Sequence, residues 1–363
     1  MKSPTRLAWR SAPADLKFLP TSNYKVPRPN IARNPGLILE ISRTLQGQVQ
    51  AAANALTNRS AAKPRLEWIP VEGLEYALRL ESHTVEPGAT RTPVIETEPT
   101  GVTMDLGISG RRAIVCASSR GLGKACALSL ARNGVHVTLN GRDEDVLAAT
   151  VAEIEKVAPD VEVRAVAGSV SDQQCQQALL DATPNADILV NNNGGPPFRD
   201  FRELDRDALI EGVVMNMVTP IEMMTAVIDG MAERQFGRIV NITSISVKKP
   251  VLGLDLSSGA RAGLTAFLAG VSRSVANNNV TINNILPGFF NTDRLRDSFN
   301  ASSKALGISV EEAAAARAEQ IPARRFGEPE EFGEACAFLC STQAGYITGQ
   351  NLLLDGGVFE SAF

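Results

Sequence analysis

Histidine, tyrosine and tryptophan are scarce in this chain of 363 residues, with two, three and two copies. Its two histidines, His83 and His136, and its five cysteines, Cys116, Cys126, Cys175, Cys336 and Cys340, include no Cys-x-x-Cys pair. Zinc centres need closely spaced thiolates and imidazoles, and disulfide scaffolds use even, regular cysteine sets. The sequence therefore predicts no metal centre and a reduced, cytoplasmic protein. No apolar run approaches the ~18 residues that would span a bilayer, so no membrane partner is expected. The net charge of −4 lacks the basic excess that a phosphate backbone demands, which argues against a nucleic-acid partner. What remains, 44% hydrophobic and 21% charged, is the composition of an ordinary globular protein.

Proline and glycine divide the chain. Residues 1–103 hold 11 of the 20 prolines but only 5 of the 29 glycines. The first 60 residues carry 9 basic and 2 acidic side chains, a charge of +7, whereas residues 104–363 carry 23 and 31, a charge of −8. This shift predicts an N-terminal extension over 1–103 and one α/β domain over 104–363, which begins at an internal Met104. In the extension, Leu37, Ile38, Ile41, Leu45, Val49, Ala52 and Leu56 recur at helical spacing and predict a helix over 37–57. Leu74, Tyr76, Leu78 and Leu80 alternate like a short strand, and residues 86–103 read as a linker. The rest is expected to be poorly structured. A docking domain, a processed targeting segment and an extension without function of its own are all open readings.

From residue 111 onward, strand and helix patterns alternate. Ala113 to Cys116 is an apolar run, followed by a small-residue loop and a helix that Gly134 should end. Val135 to Asn140 predicts the next strand and Asp143 to Val157 the next helix. Val161 to Ala167, Ile188 to Asn191 and Arg238 to Ile242 are further short strands. Near-continuous apolar strands between helices imply a parallel sheet covered on both faces, a doubly wound sheet of Rossmann type. Such sheets bind ligands at the carboxyl ends of their strands, and a glycine-rich loop after the first strand suits a pyrophosphate.

Ordered motifs across residues 104–363 resemble those of the short-chain dehydrogenase/reductase family, in particular its 3-oxoacyl-carrier-protein reductase-like branch. The family's phosphate loop is similar to Cys116-Ala117-Ser118-Ser119-Arg120-Gly121-Leu122-Gly123, and its Asn-Asn-Ala-Gly turn to Asn191-Asn192-Asn193-Gly194. Asn216 matches the active-site helix asparagine and Ser244 the catalytic serine. Pro287-Gly288 with Thr292, and Tyr346 to Gln350 followed by Asp355-Gly356-Gly357, complete the likeness. The resemblance implies an oxidoreductase acting on a carbonyl or secondary alcohol, with homo-tetrameric or dimeric assembly. It assigns cofactor binding to Ser118, Ser119, Arg120, Gly121, Leu122, Gly123, Arg142, Ser169, Asn192, Asn193, Gly194, Arg261, Pro287, Gly288 and Thr292. It assigns catalysis to Ser244, Asn216, Ser257 and Arg261.

Three departures stand out. Ser257 and Arg261 occupy the places of the family's catalytic tyrosine and lysine. A phenol near pKa ~10 can be tuned as an acid, whereas an aliphatic hydroxyl is far weaker, so Ser257 does not simply inherit the proton transfer. Arg261 keeps the charge and can still hold a ribose. Ala117 replaces the loop's first glycine, and Ser169 replaces the aspartate that usually meets the adenine. Lys248, Asp255 and a water held by Asn216 are alternative proton sources, the water first among them. At the end of the second strand, Asn140-Gly141-Arg142 together with Arg120 suits a 2′-phosphate, so NADP is expected ahead of NAD. No pair of basic residues in the sequence marks a carboxylate-bearing substrate. A nucleotide-binding module with a retired active site is the alternative reading.

Overall fold

The computed structural model describes residues 104–195 and 198–361, together with two strands of the front segment. Those two, Arg65–Val71 (β1) and Leu74–Glu81 (β2), pair antiparallel, with Leu66 opposite Leu80 and a register shift between Ile69 and Val71. The alternation of residues 74–80 thus corresponds to β2. Its partner β1 falls where the sequence suggested no order, because Pro64 precedes it and Pro70 stands inside it, at the register shift. The expected helix over 37–57 lies outside the described residues. The hairpin and residues 99–363 belong to separate compact units.

In the second unit, seven strands form one sheet: Arg112–Val115 (β3), His136–Gly141 (β4), Val163–Ala167 (β5), Ile188–Asn191 (β6), Gly237–Ile242 (β7), Val280–Pro287 (β8) and Asn351–Leu354 (β9). Their order is β5-β4-β3-β6-β7-β8-β9 and every pairing is parallel. The interior strands read as unbroken apolar runs because helices cover both faces. Ile188, Leu189 and Val190 in β6 have no exposed surface, and burying such a side chain contributes about 1.5–3 kcal/mol.

The helices divide between the faces. Gly121–Arg132 (α1), Glu144–Val157 (α2) and, near the chain end, Pro329–Cys340 share a core with Leu130, Leu139, Ile154 and Phe332. On the other face, Gln173–Ala182 (α3), the helix over Thr219–Glu233 and the 21-residue helix Asp255–Val275 pack around Leu179, Met223, Met231 and Leu264. In chain order the remaining helices are Arg206–Val213 (α4), Thr219–Glu233 (α5), Asp255–Val275 (α6), Asp293–Leu306 (α7), Val310–Glu319 (α8) and Pro329–Cys340 (α9). All five cysteines are free and buried, so they act as small core hydrophobes. Among the described residues, no helix is long and apolar enough to cross a membrane, and no His, Cys, Asp and Glu cluster could hold a metal ion.

The doubly wound α/β sheet expected from the sequence is the observed architecture. The strand order reverses between β3 and β6, and there the loops after the two strands diverge to open a crevice at the sheet's carboxyl edge.

Candidate active site

Two asparagines fix the loop after β3. Asn140, at the end of β4, accepts from the Ala117 N–H at 3.1 Å through Oδ1, while its amide donates to the carbonyls of Val166 and Gly168, both at 3.1 Å. Asn192, after β6, donates to the Ala117 carbonyl at 3.0 Å. Ala117 sits at φ +43°, in the left-handed region that costs a Cβ-bearing residue about 1 kcal/mol, so these bonds hold a strained residue in place. Ser118 is fully buried. Its hydroxyl donates to the Val115 carbonyl at 2.7 Å and accepts from the Asn140 N–H at 3.0 Å, which makes it a brace of the loop.

Beyond the loop, α1 starts without a side-chain cap and with no acid in its first turn. By contrast, Asp143 caps α2, Asp205 caps α4 and Ser309 caps α8. The free N–H groups of α1 therefore remain available to an anion. Close backbone approach at this turn requires glycine: a Cβ on Gly123 would lie 2.4 Å from the Ala117 carbonyl oxygen and 2.8 Å from the Asn192 amide nitrogen. Gly121 adopts φ +59° and faces the Thr292 methyl group across the crevice. Leu122 packs against the core beneath. A groove of about 470 Å³ flanks the loop, lined by Ser119, Arg120, Gly121, Thr150 and Thr292 among others.

At the end of β4, the first acid is displaced into the helix start, as the sequence suggests. Asp143 accepts from the Val146 N–H at 3.1 Å and also stands 3.8 Å from Arg120. Arg142 is exposed beside it. Ser169 accepts weakly from the Ser171 N–H at 3.3 Å. Asn193 donates to Ser171 Oγ at 2.9 Å and to the Met215 carbonyl at 3.1 Å, and its Oδ1 accepts from the Gly194 N–H. Pro287 ends β8, and Gly288 N–H donates to the Leu354 carbonyl at 2.8 Å, so β9 secures that turn. Thr292 is the N-cap residue of α7.

The four candidate catalytic residues lie on three elements. Asn216 belongs to a π-helical stretch, Val214–Val218, between α4 and α5, a distortion that often marks functional positions. It is 2% exposed, and its Oδ1 and the neighbouring Thr219 Oγ1 have no partner among the described residues. A cavity of about 10 Å³ touches Asn193, Asn216, Thr219 and Arg261, which is room for one water. Ser244 follows β7, and its hydroxyl accepts from the Ser246 N–H at 3.1 Å. On α6, Arg261 Nε donates to Ser257 Oγ at 3.2 Å, and Arg261 Nη1 donates to the Ile242 carbonyl at 2.7 Å. Ser257 and Arg261 are both buried, and no carboxylate pairs with Arg261 among the described residues. Burial, reinforced by the like charge of Arg294, brings the Arg261 guanidinium down to about 10.

Sequence reasoning over-reached at some positions and missed another. Lys248 and Asp255 are exposed, and Lys248 stands over the Phe359 ring, so neither is enclosed with the Ser257–Arg261 pair. Arg294, in the first turn of α7, passed unremarked. Its guanidinium lies over the backbone of Gly195, where an added Cβ would be 2.7 Å from Nη2. Only the approach of α7 to the loop after β6 creates that contact, and no local motif announces it.

Comparison with known proteins gives the same picture. Residues 116–359 match the family described as Enoyl-(Acyl carrier protein) reductase. The NADPH-dependent reductase BacG of Bacillus subtilis is 31% identical over 258 residues, covering 70% of this chain and 100% of BacG. The 3-oxoacyl-[acyl-carrier-protein] reductase FabG of Vibrio cholerae is 31% identical over 254 residues, 70% of this chain and 99% of that protein. Among solved structures, L-sorbose reductase from Gluconobacter frateurii, complexed with NADPH and L-sorbose, superposes with a TM-score of 0.68 at 28% identity, over 71% of this chain and 100% of that one. A parallel seven-stranded sheet, an uncapped glycine-loop helix and similarity across the full length of these relatives together place the chain in the short-chain dehydrogenase/reductase family.

Proposed function

We propose that residues 104–363 form an NADP(H)-dependent oxidoreductase that interconverts a carbonyl group and a secondary alcohol, with a 3-oxoacyl-type compound as one candidate substrate. The observation that carries this reading is the buried Ser257–Arg261 pair. A guanidinium enclosed without a carboxylate is expensive, of the order of several kcal/mol, and a retired site has no use for it. In a working site it faces a ligand and stabilises developing negative charge.

The residues present fit the cofactor. The free N–H groups of α1, with Ser119, Gly121, Leu122 and Gly123, would cradle its diphosphate, and Gly123 lets the turn pack closely on Ala117 and Asn192. Asn192, Asn193 and Gly194 would border its nicotinamide half, with Pro287, Gly288 and Thr292 opposite and Ser169 toward the base. Arg120 and Arg142 would meet a 2′-phosphate, because Asp143 is turned into the cap of α2. When bound, NADPH supplies a hydride to the carbonyl carbon.

The side chains provide the rest. Ser244 would orient the carbonyl oxygen. Because Ser257 Oγ accepts from Arg261 Nε, its own O–H is free to donate to that oxygen as charge develops. The proton that Ser257 passes on would be made good from bulk solvent, by way of a water held in the cavity that Asn216 and Arg261 line. Ser257 thus acts as a donor whose polarity Arg261 raises, in place of a tunable phenol.

Leu209, Ile210 and Val213 on α4, Phe267 on α6, and Phe338 on α9 with Leu352 on β9 are exposed apolar side chains, which supports homo-oligomer formation through both sets. Five free, buried thiols are consistent with a reducing cytoplasmic setting. The test of the main reading is NADPH fluorescence titrated against the full-length chain. The nicotinamide signal is preferred because Trp9 and Trp68 both lie in the front segment. NADPH is expected to bind about tenfold more tightly than NADH, and no binding of either would sink the proposal.

A further inference from the structure

We infer that Arg294 recognises a carboxylate on the substrate, so that the carbonyl compound taken by this site is a keto acid. The inference rests on the oxidoreductase reading and deepens it by naming the substrate class. Arg294 Nη1 and Nη2 lie 2.9 and 2.7 Å from where a Cβ on Gly195 would be, so the guanidinium is drawn in over the loop that follows Asn193 and Gly194. That loop borders the nicotinamide half of the crevice, beyond the α1 end that serves the diphosphate.

Arg294 has no hydrogen-bonding or ion-pair partner among the described residues. Its neighbour Asp293 pairs with Arg296 at 2.5 Å instead. Its charge reaches Arg261, whose guanidinium it helps to lower, and partial burial lowers its own. Arg294 is solvent-exposed while Arg261 is buried, so an anion entering the crevice meets free donors on Arg294 and the charge of both guanidiniums. Arg325, by contrast, pairs with Glu331 at 2.7 Å and Arg111 with Asp187 at 3.3 Å.

Arg261 is committed to Ser257 and Ile242 through Nε and Nη1, whereas all of the Arg294 donors are free among the described residues. Its planar fork matches a carboxylate bidentately. Phosphate on the cofactor is the rival source of negative charge, and the test separates the two. Keto acid binding would also bring a charge of opposite sign toward Arg261, which relieves the repulsion as the site closes.

The experiment is isothermal titration calorimetry on the full-length chain saturated with NADP+, using acetoacetate and its neutral methyl ester as probes. The inference predicts acetoacetate binding about tenfold or more tightly than the ester, with the gap closing in Arg294→Gln and partly kept in Arg294→Lys. NADPH affinity, followed by its fluorescence, is expected to be the same in wild type and Arg294→Gln. Equal binding of acid and ester overturns the inference, and so does an NADPH affinity that falls with the arginine, which would assign Arg294 to the cofactor. If NADPH fails to bind wild type at all, the oxidoreductase reading falls on its own. The acetoacetate titration of the unliganded chain then decides the anion site, with binding lost in Arg294→Gln supporting it and no binding overturning it.

Discussion

Arg261 carries its charge into a place where water cannot screen it. Burial and the nearby Arg294 bring its guanidinium down from the usual arginine range to about 10. The charge is complete below that pH and is lost as pH rises through it, so a step that needs the cation fails on the alkaline side. We therefore expect kcat/KM for NADPH oxidation to fall above pH ~10, following one proton, while circular dichroism shows the fold intact. Arg261→Met should abolish that limb and lower kcat/KM by about 10²–10³-fold. A profile that stays flat through that range, or an unaffected methionine variant, contradicts a catalytic role for the cation. The places of Ser257 and Arg261 were legible through the family resemblance, and their hydrogen bond follows from four-residue spacing on α6. The free Asn216 Oδ1 and the contact of Arg294 with Gly195 were not, because one depends on a π-helical register and the other on two loops meeting in space.

Among the elements, the loop and first turn of α1 set the shape of the crevice. Gly123→Ala would place a methyl group against the Ala117 carbonyl oxygen and the Asn192 amide, and the loop would have to retreat. NADPH affinity is expected to drop by about tenfold or more with the domain still folded, read by the same fluorescence titration and a thermal melt. An unchanged affinity would mean that the cofactor does not use this turn. The strands β2 to β7 and the helices α1 and α2 were legible from periodicity, and their limits reveal local chemistry. The helix expected from Asp143 begins at Glu144, because Asp143 is the cap itself. The strand expected from Val161 begins at Val163. It is the sheet's edge strand, where Arg164 and Ala165 are exposed and apolar patterning weakens. In the front segment, β1 escaped because a proline before it and another within it read as a loop.

For the whole molecule, the exposed apolar side chains include one set on α4 and α6 and another on α9 and β9. Size-exclusion chromatography with light scattering on the full-length chain should return a dimer or tetramer. Replacing Leu209 and Ile210 with glutamate should shift it toward a smaller species, since buried charge without a partner opposes association. A native monomer would leave those side chains without the covering assigned to them.

In the proposed reaction a serine and a buried arginine sustain carbonyl reduction where relatives in this family place a tyrosine and a lysine. The most direct test follows the loss of NADPH absorbance when the native full-length chain meets a panel of keto acids and neutral ketones. Turnover by the native chain that Ser257→Ala slows by about tenfold or more is the predicted result. Tight NADPH binding with no turnover of any carbonyl, matched by an unchanged Ser257→Ala variant, would contradict it and leave a nucleotide-binding module.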